Sequence, residues 1–285
     1  VIKQAAKLKF KGRYLLNIAY KEVDGPSAPP SGLIALSELI RAGIEASALP
    51  LTLPLLIAQA PKADGHKVLV IPGFMGGDRS TSILRRFIST LGYEALPWDL
   101  GRNNGGQSQH EDLIRNFETL AAQSTTPITI IGQSLGGVYA RELARLNPES
   151  VRMVITLGSP FGSLSNGTSH PFLTRLFKMM AGVTPENAQK QRLTTDPKIA
   201  PPVPCTAVYS KTDGVVPWQS CIEHVEKTNE NVEVFGSHIG MGFHPHVLHV
   251  IADRLGQTKI RWQPFDRGTL SRRCIFPAPS ARAAT

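Results

Sequence analysis

From His66 onward, short runs of aliphatic and β-branched residues alternate with stretches whose apolar positions recur every three to four residues. That alternation predicts βα units and a mostly parallel sheet. Residues 67–71 (KVLVI) form a near-continuous apolar run, as a strand covered on both faces requires, and the run stops at Pro72-Gly73. The pattern then predicts a helix over 80–91, a short strand over 93–97, and a helix over 108–123 with Leu113, Ile114, Phe117, Leu120 and Ala121 on one face. Further strands are expected at 127–131, 151–157, 206–210 and 232–235, with helices at 136–146 and 245–255.

Two regions break this rhythm. Residues 25–32, with Pro26, Pro29 and Pro30, form a breaker-rich linker leading into a helical segment that opens near Ser31, so residues 1–65 are expected to be a basic arm and a helical extension. Residues 33–60 are strongly apolar, but Glu38, Arg41 and Glu45 interrupt the run early and Pro50 and Pro54 late. No clean stretch of about 20 apolar residues survives, and a transmembrane span is not expected. Residues 161–204 lie between two core strands and carry a helical apolar stripe of Phe172, Leu173, Leu176, Phe177 and Met180. This is the candidate lid; such a stripe either packs on the body or contacts substrate, and Phe161, Phe172, Leu176, Phe177 and Met180 are the candidate substrate contacts. The catalytic domain is then 66–256, with 257–285 a tail.

The formal net charge of +9 suggests a nucleic-acid partner until the charges are located. Residues 1–21 hold six cations and no acid, and residues 267–285 hold four cations and no acid. Without those ten, the body carries 21 cations against 22 acids. The basicity belongs to the ends. No nucleic-acid partner is expected, while the basic ends leave open a weak contact with anionic surfaces. Residues 1–20 lack the apolar stretch of a signal peptide, and a cytoplasmic location is favoured. Cys205, Cys221 and Cys274 make no disulfide framework and no C-x-x-C pair, although a Cys205–Cys221 bridge stays open.

The chemistry is carried by Gly132-Gln133-Ser134-Leu135-Gly136, which fits G-x-S-x-G between an expected strand and an expected helix. A serine on such a turn projects its hydroxyl above the sheet edge. Serine needs a base to take its proton, and the base needs an orienting carboxylate, expected in that chain order after later strands. Asp213 follows the strand at 206–210 in SKTDGVVP, and His238 follows the strand at 232–235 in GSHIG. Asp99, Asp196, His244, His246 and His249 are less well positioned along the chain. Four histidines between 238 and 249 invite a zinc reading, but no carboxylate or cysteine completes a ligand spacing, and no metal is expected. An oxyanion would be held by backbone N–H groups, one from Leu135 after the nucleophile and one from Phe74, or alternatively Met75, in the PGFMGG loop.

Taken together, PGFMGG, GQSLGG, TLGSPFG, SKTDGVVP and GSHIG resemble bacterial serine carboxylesterases and lipases of the α/β-hydrolase superfamily over about residues 66–256. The resemblance implies an α/β class protein with the α/β-hydrolase fold: a mostly parallel sheet, helices on both faces, and a helical lid. It also implies an acyl-enzyme on Ser134 with Asp213 and His238, a small-molecule or lipid ester substrate, and no cofactor. A thioesterase or amidase would use the same triad, and a non-catalytic binding protein of this fold is the remaining alternative. Many relatives open the oxyanion loop with His-Gly, where this chain has Pro72-Gly73.

Overall fold

A computed structural model describes residues 21–23, 29–162, 198–224, 228–257 and 262–282. Six strands make one parallel sheet: β2 (Lys67–Ile71), β3 (Glu94–Leu96), β4 (Ile128–Gln133), β5 (Val151–Leu157), β6 (Cys205–Tyr209) and β7 (Asn229–Glu233). Their order across the sheet is β3-β2-β4-β5-β6-β7. The intervening helices include α3 (Ser82–Thr90), α4 (Gln107–Ala122), α5 (Leu135–Leu146) and α6 (Pro245–Leu255). Two apolar clusters reflect the two faces of the sheet. One gathers Val68, Val70, Ile131 and Ile155 with α3 and α6, and the other gathers Leu69, Ile71, Ile130 and Val154 with α4 and α5. Alternate residues of one strand thus enter different clusters, which is why these strands are apolar throughout rather than alternating.

Most predicted elements fall within two residues of their observed bounds. The last sheet strand does not: the apolar run at 232–235 predicts it there, whereas β7 begins at Asn229. Its early residues are polar yet buried, and Glu230 and Asn231 both have partners. Glu230 pairs with Arg254 of α6 at 2.7 Å and accepts from Thr206 Oγ1 at 2.8 Å, while Asn231 exchanges hydrogen bonds with the Glu223 backbone at 2.7 and 3.0 Å. Buried polar residues that are fully paired leave no hydrophobic signature.

The N-terminal segment forms α1 (Gly32–Leu36) and α2 (Glu38–Gln59). Ser31 caps α1, its side chain accepting from Ile34 N at 3.4 Å. Pro50 and Pro54 do not end α2, which runs through both for 22 residues and is long and apolar enough to cross a membrane by length and composition alone. Packing outweighs the two lost backbone donors: Leu49 is buried, and Leu53, Leu56 and Ile57 lie against the α6 side of the core.

The C-terminal residues also join the body. Phe265 and Phe276 are core residues, α7 (Leu270–Ile275) precedes Phe276, and β8 (Ser280–Arg282) pairs in parallel with β1 (Lys21–Val23) in a separate two-stranded sheet. Ser280 N donates to the buried Tyr209 hydroxyl at 2.6 Å. Of the insertion expected to be a lid, residues 163–197 lie outside the described residues, and with them Phe172, Leu173, Leu176, Phe177 and Met180. Cys205 and Cys221 are both buried and unbridged.

Burial holds His244 and His246 far below the ordinary histidine value, to about 4, and pushes His66 and His249 down as well. A histidine whose folded pKa is depressed contributes stability above its unfolded value of about 6.5 and loses it as the pH falls toward the folded value. The melting temperature is therefore expected to fall between pH about 6.5 and about 4, and His246→Asn should flatten that slope. Thermal unfolding followed by circular dichroism across the range checks both; a melting temperature that stays level would contradict the neutral buried histidines.

Candidate active site

The turn from β4 into α5 is built on close backbone approach. A side chain at Gly132 would collide with the Gly136 carbonyl, and one at Gly136 would collide with the Ile71 carbonyl, so strand, turn and helix pack at distances only glycine permits. Ser134 sits at the apex with φ 51 and ψ −120, a positive-φ conformation that is costly for any residue with a Cβ. Its N–H donates to Leu157 O at 2.8 Å, tying the apex to the end of β5.

Asp213 and His238 meet beside that point. His238 Nδ1 lies 2.6 Å from Asp213 Oδ2, and both residues are buried. The other carboxylate oxygen of Asp213 accepts from Val215 N at 2.8 Å and Val216 N at 2.9 Å. The loop after β6 thus folds around the acid and fixes which oxygen faces the imidazole. With Nδ1 given to the carboxylate, Nε2 is the nitrogen left to take a proton. Gly158, which follows Leu157 and has φ +54, lies under the pair: an added Cβ would stand 3.2 Å from both Asp213 Oδ2 and His238 Nδ1. Ser134, Asp213 and His238 therefore converge on Leu157–Gly158 at the carboxyl edge of the sheet, each from the loop after a different strand. Gln133 adds a direct tie, its Nε2 donating to His238 O at 3.2 Å.

Burial lowers the His238 pKa, but the charge of Asp213, their hydrogen bond and the charge of Glu38 outweigh it and leave the pKa above the ordinary value. Glu38 was not legible as a site residue. It projects inward from α2, is 4% exposed, and bridges the loops that carry Asp213 and His238: Oε1 accepts from Gly214 N at 2.8 Å and Oε2 from Ile239 N at 3.1 Å. Glu45, two turns on, accepts from Ser237 N at 2.7 Å and Ser237 Oγ at 2.6 Å. Arg41 pairs with Glu38 at 2.6 Å and donates to Gly236 O at 3.4 Å. Residues 236–240, which carry His238, are thus gripped by three charged side chains of one helix. The only sequence signal is the placement of Glu38, Arg41 and Glu45 at helical spacing within an apolar segment.

The loop after β2 has its own anchor, also missed in the sequence. Asn103, fully buried, donates from Nδ2 to Pro72 O at 2.9 Å, donates from its backbone to Gly76 O at 2.7 Å, and accepts from Met75 N at 2.6 Å. The Met75 N–H is therefore engaged within the loop. Leu135 begins α5, where N–H groups of the first turn point outward. Phe161 is 1% exposed and lies beneath the buried Arg141 guanidinium, 3.8 Å from ring centroid to Cζ, packed with Val138 and Ala207. Among the described residues no three His, Cys, Asp or Glu side chains gather in a way that could hold a metal ion. His244 and His246 lie tilted against each other, ring centroids 4.9 Å apart, and His246 and His249 contact Phe276.

Residues 57–200, about half the chain, match the family described as alpha/beta hydrolase fold. The chain belongs to the alpha/beta hydrolase fold family. Among solved structures, Aspergillus fumigatus lipase B is similar with 18% identity and a TM-score of 0.55, over 78% of this chain and 61% of that one. The pyrethroid hydrolase PytH, in its structure with BIF, is similar with 14% identity and a TM-score of 0.50, over 70% of this chain and 99% of that one. At these identities the likeness is one of fold. None of the curated proteins compared matches the chain. The helix that grips the histidine loop of this hydrolase-fold chain, α2, lies almost wholly before the matched stretch.

Two measurements address the site independently of turnover. Gly158→Ala is expected to cost roughly 1–2 kcal/mol, from the left-handed backbone alone, read as a lower denaturation midpoint. In an NMR titration, Glu38→Gln should lower the His238 pKa; an unmoved titration would mean that Glu38 does not act on the imidazole.

Proposed function

We propose that the protein hydrolyses carboxylic esters through an acyl-enzyme on Ser134. The observation that carries this reading is the 2.6 Å Asp213–His238 hydrogen bond, beside a serine held in a strained strand-to-helix turn. The lipase and hydrolase descriptions of the two structural neighbours support the same reaction type.

In this mechanism His238 Nε2 takes the Ser134 hydroxyl proton as the oxygen attacks the ester carbonyl. Asp213 accepts a hydrogen bond from Nδ1–H, stays ionised, and stabilises the imidazolium that forms. The tetrahedral oxygen takes hydrogen bonds from Leu135 N–H and Phe74 N–H. Met75, the alternative donor, has its amide engaged with Asn103 O. His238 then returns its proton to the leaving alkoxide. Water, activated by the same imidazole, releases the acid and restores the serine. No step calls for a cofactor.

Ser134→Ala is expected to reduce p-nitrophenyl ester hydrolysis by roughly 10⁴-fold or more. Equal rates in the two proteins would overturn Ser134 as nucleophile, and absence of ester turnover with retained thioester turnover would move the assignment to a thioesterase.

The base must be neutral to accept a proton, and the raised His238 pKa places its neutral form at higher pH. The acidic limb of kcat/KM is therefore expected above the free-histidine value of about 6.5. A limb below that value would contradict the proposed base.

A further inference from the structure

Helices α1 and α2 are amphipathic in an unusual sense. Their inward side carries Glu38, Arg41 and Glu45 to the loops that carry Asp213 and His238, followed by Leu49, Leu53 and Leu56 against the core. Their outward side is a stripe of Leu33, Leu36, Ile40, Ile44, Leu51 and Leu55, each between 59% and 85% exposed. On α2 the intervals of four and seven residues place Ile40, Ile44, Leu51 and Leu55 on one helical face, and Leu33 and Leu36 precede them on α1. No charged residue lies between Glu45 and Lys62, so the distal half of the stripe has no ionic rim. From Ile40 to Leu55 of α2 it extends about 22 Å. Isolated exposed leucines are ordinary on a protein surface, but a continuous stripe of this length marks a surface with a partner.

We propose that this outward face docks the protein on an anionic lipid surface, with α2 lying in the interface plane. Charge and composition select lipid. Residues 1–21, immediately upstream of the linker into α1, hold six cations and no acid, the complement of an anionic headgroup layer. The helix also has the length and composition of a segment compatible with hydrocarbon. It lies on the surface rather than crossing it, because crossing would strip Glu38, Arg41 and Glu45 from the loop groups that pair them and carry them into the bilayer. Phe235, just before the gripped residues, and Ile239, among them, are 53% and 39% exposed and lie next to His238 along the chain. The docking does not depend on the esterase reading.

The test is co-sedimentation of the full chain with vesicles of phosphatidylcholine, with and without phosphatidylglycerol, alongside turnover of a soluble short-chain ester. The expected result is binding that strengthens with phosphatidylglycerol and drops by about tenfold or more in the double variant Ile40→Glu, Ile44→Glu and in Leu51→Glu. All variants should keep the parent melting temperature and rate on the soluble ester. Failure of the esterase reading would show as no turnover by the parent protein and would leave the sedimentation result readable. No vesicle binding, or equal binding by parent and variants, would overturn the proposal. So would a concentration-dependent dimer dissolved by the same substitutions, since a second copy would then be the occupant.

Discussion

The contact on which the site depends is the backbone approach of β4 to α5 across Gly132 and Gly136. It lets the chain turn from strand to helix within one residue, and Ser134 absorbs the cost as a positive φ. A strained residue persists only where its surroundings over-determine it. Here they are the Ile71 carbonyl beneath Gly136, the Leu157 carbonyl accepting from Ser134 N, and a sheet whose central strands are apolar on both faces. The same packing sets the floor on which Asp213 and His238 meet, because β5 ends in the Leu157–Gly158 step that receives both.

Around that floor, buried charge is used in two ways. Glu230 and Arg254 are buried together and share further donors and acceptors, so they fasten the edge strand β7 to α6. Breaking one partner of such a pair strands the other in a medium of low polarity, which makes the pair a strong constraint on geometry even where its net stabilisation is small. Glu38 and Glu45 are different: their acceptors are filled largely by loop N–H groups rather than by cations. They replace water for a loop that has no strand or helix to satisfy it, and so hold the backbone of residues 237–240 in one arrangement. The negative charge that fixes the loop also raises the pKa of the imidazole within it. The helix that turns an apolar stripe outward thus adds to what Asp213 does for both the position and the electrostatics of His238.

The strand-helix alternation, the G-x-S-x-G turn and the order of serine, acid and histidine are local or period-based signals, and the sequence by itself determined them. A parallel sheet buried on both faces must be written in continuous apolar runs, and a tight elbow must be written in glycine. The polar start of β7, the passage of α2 through Pro50 and Pro54, the Asn103 anchor and the carboxylate grip on residues 236–240 were decided only by the tertiary structure. Each joins positions tens to hundreds of residues apart, as in Glu38 with Ile239 or Asn103 with Pro72. Whether a buried polar residue is costly or stabilising depends on a partner that hydrophobic periodicity cannot name, and that partner exists only once the chain has closed on itself.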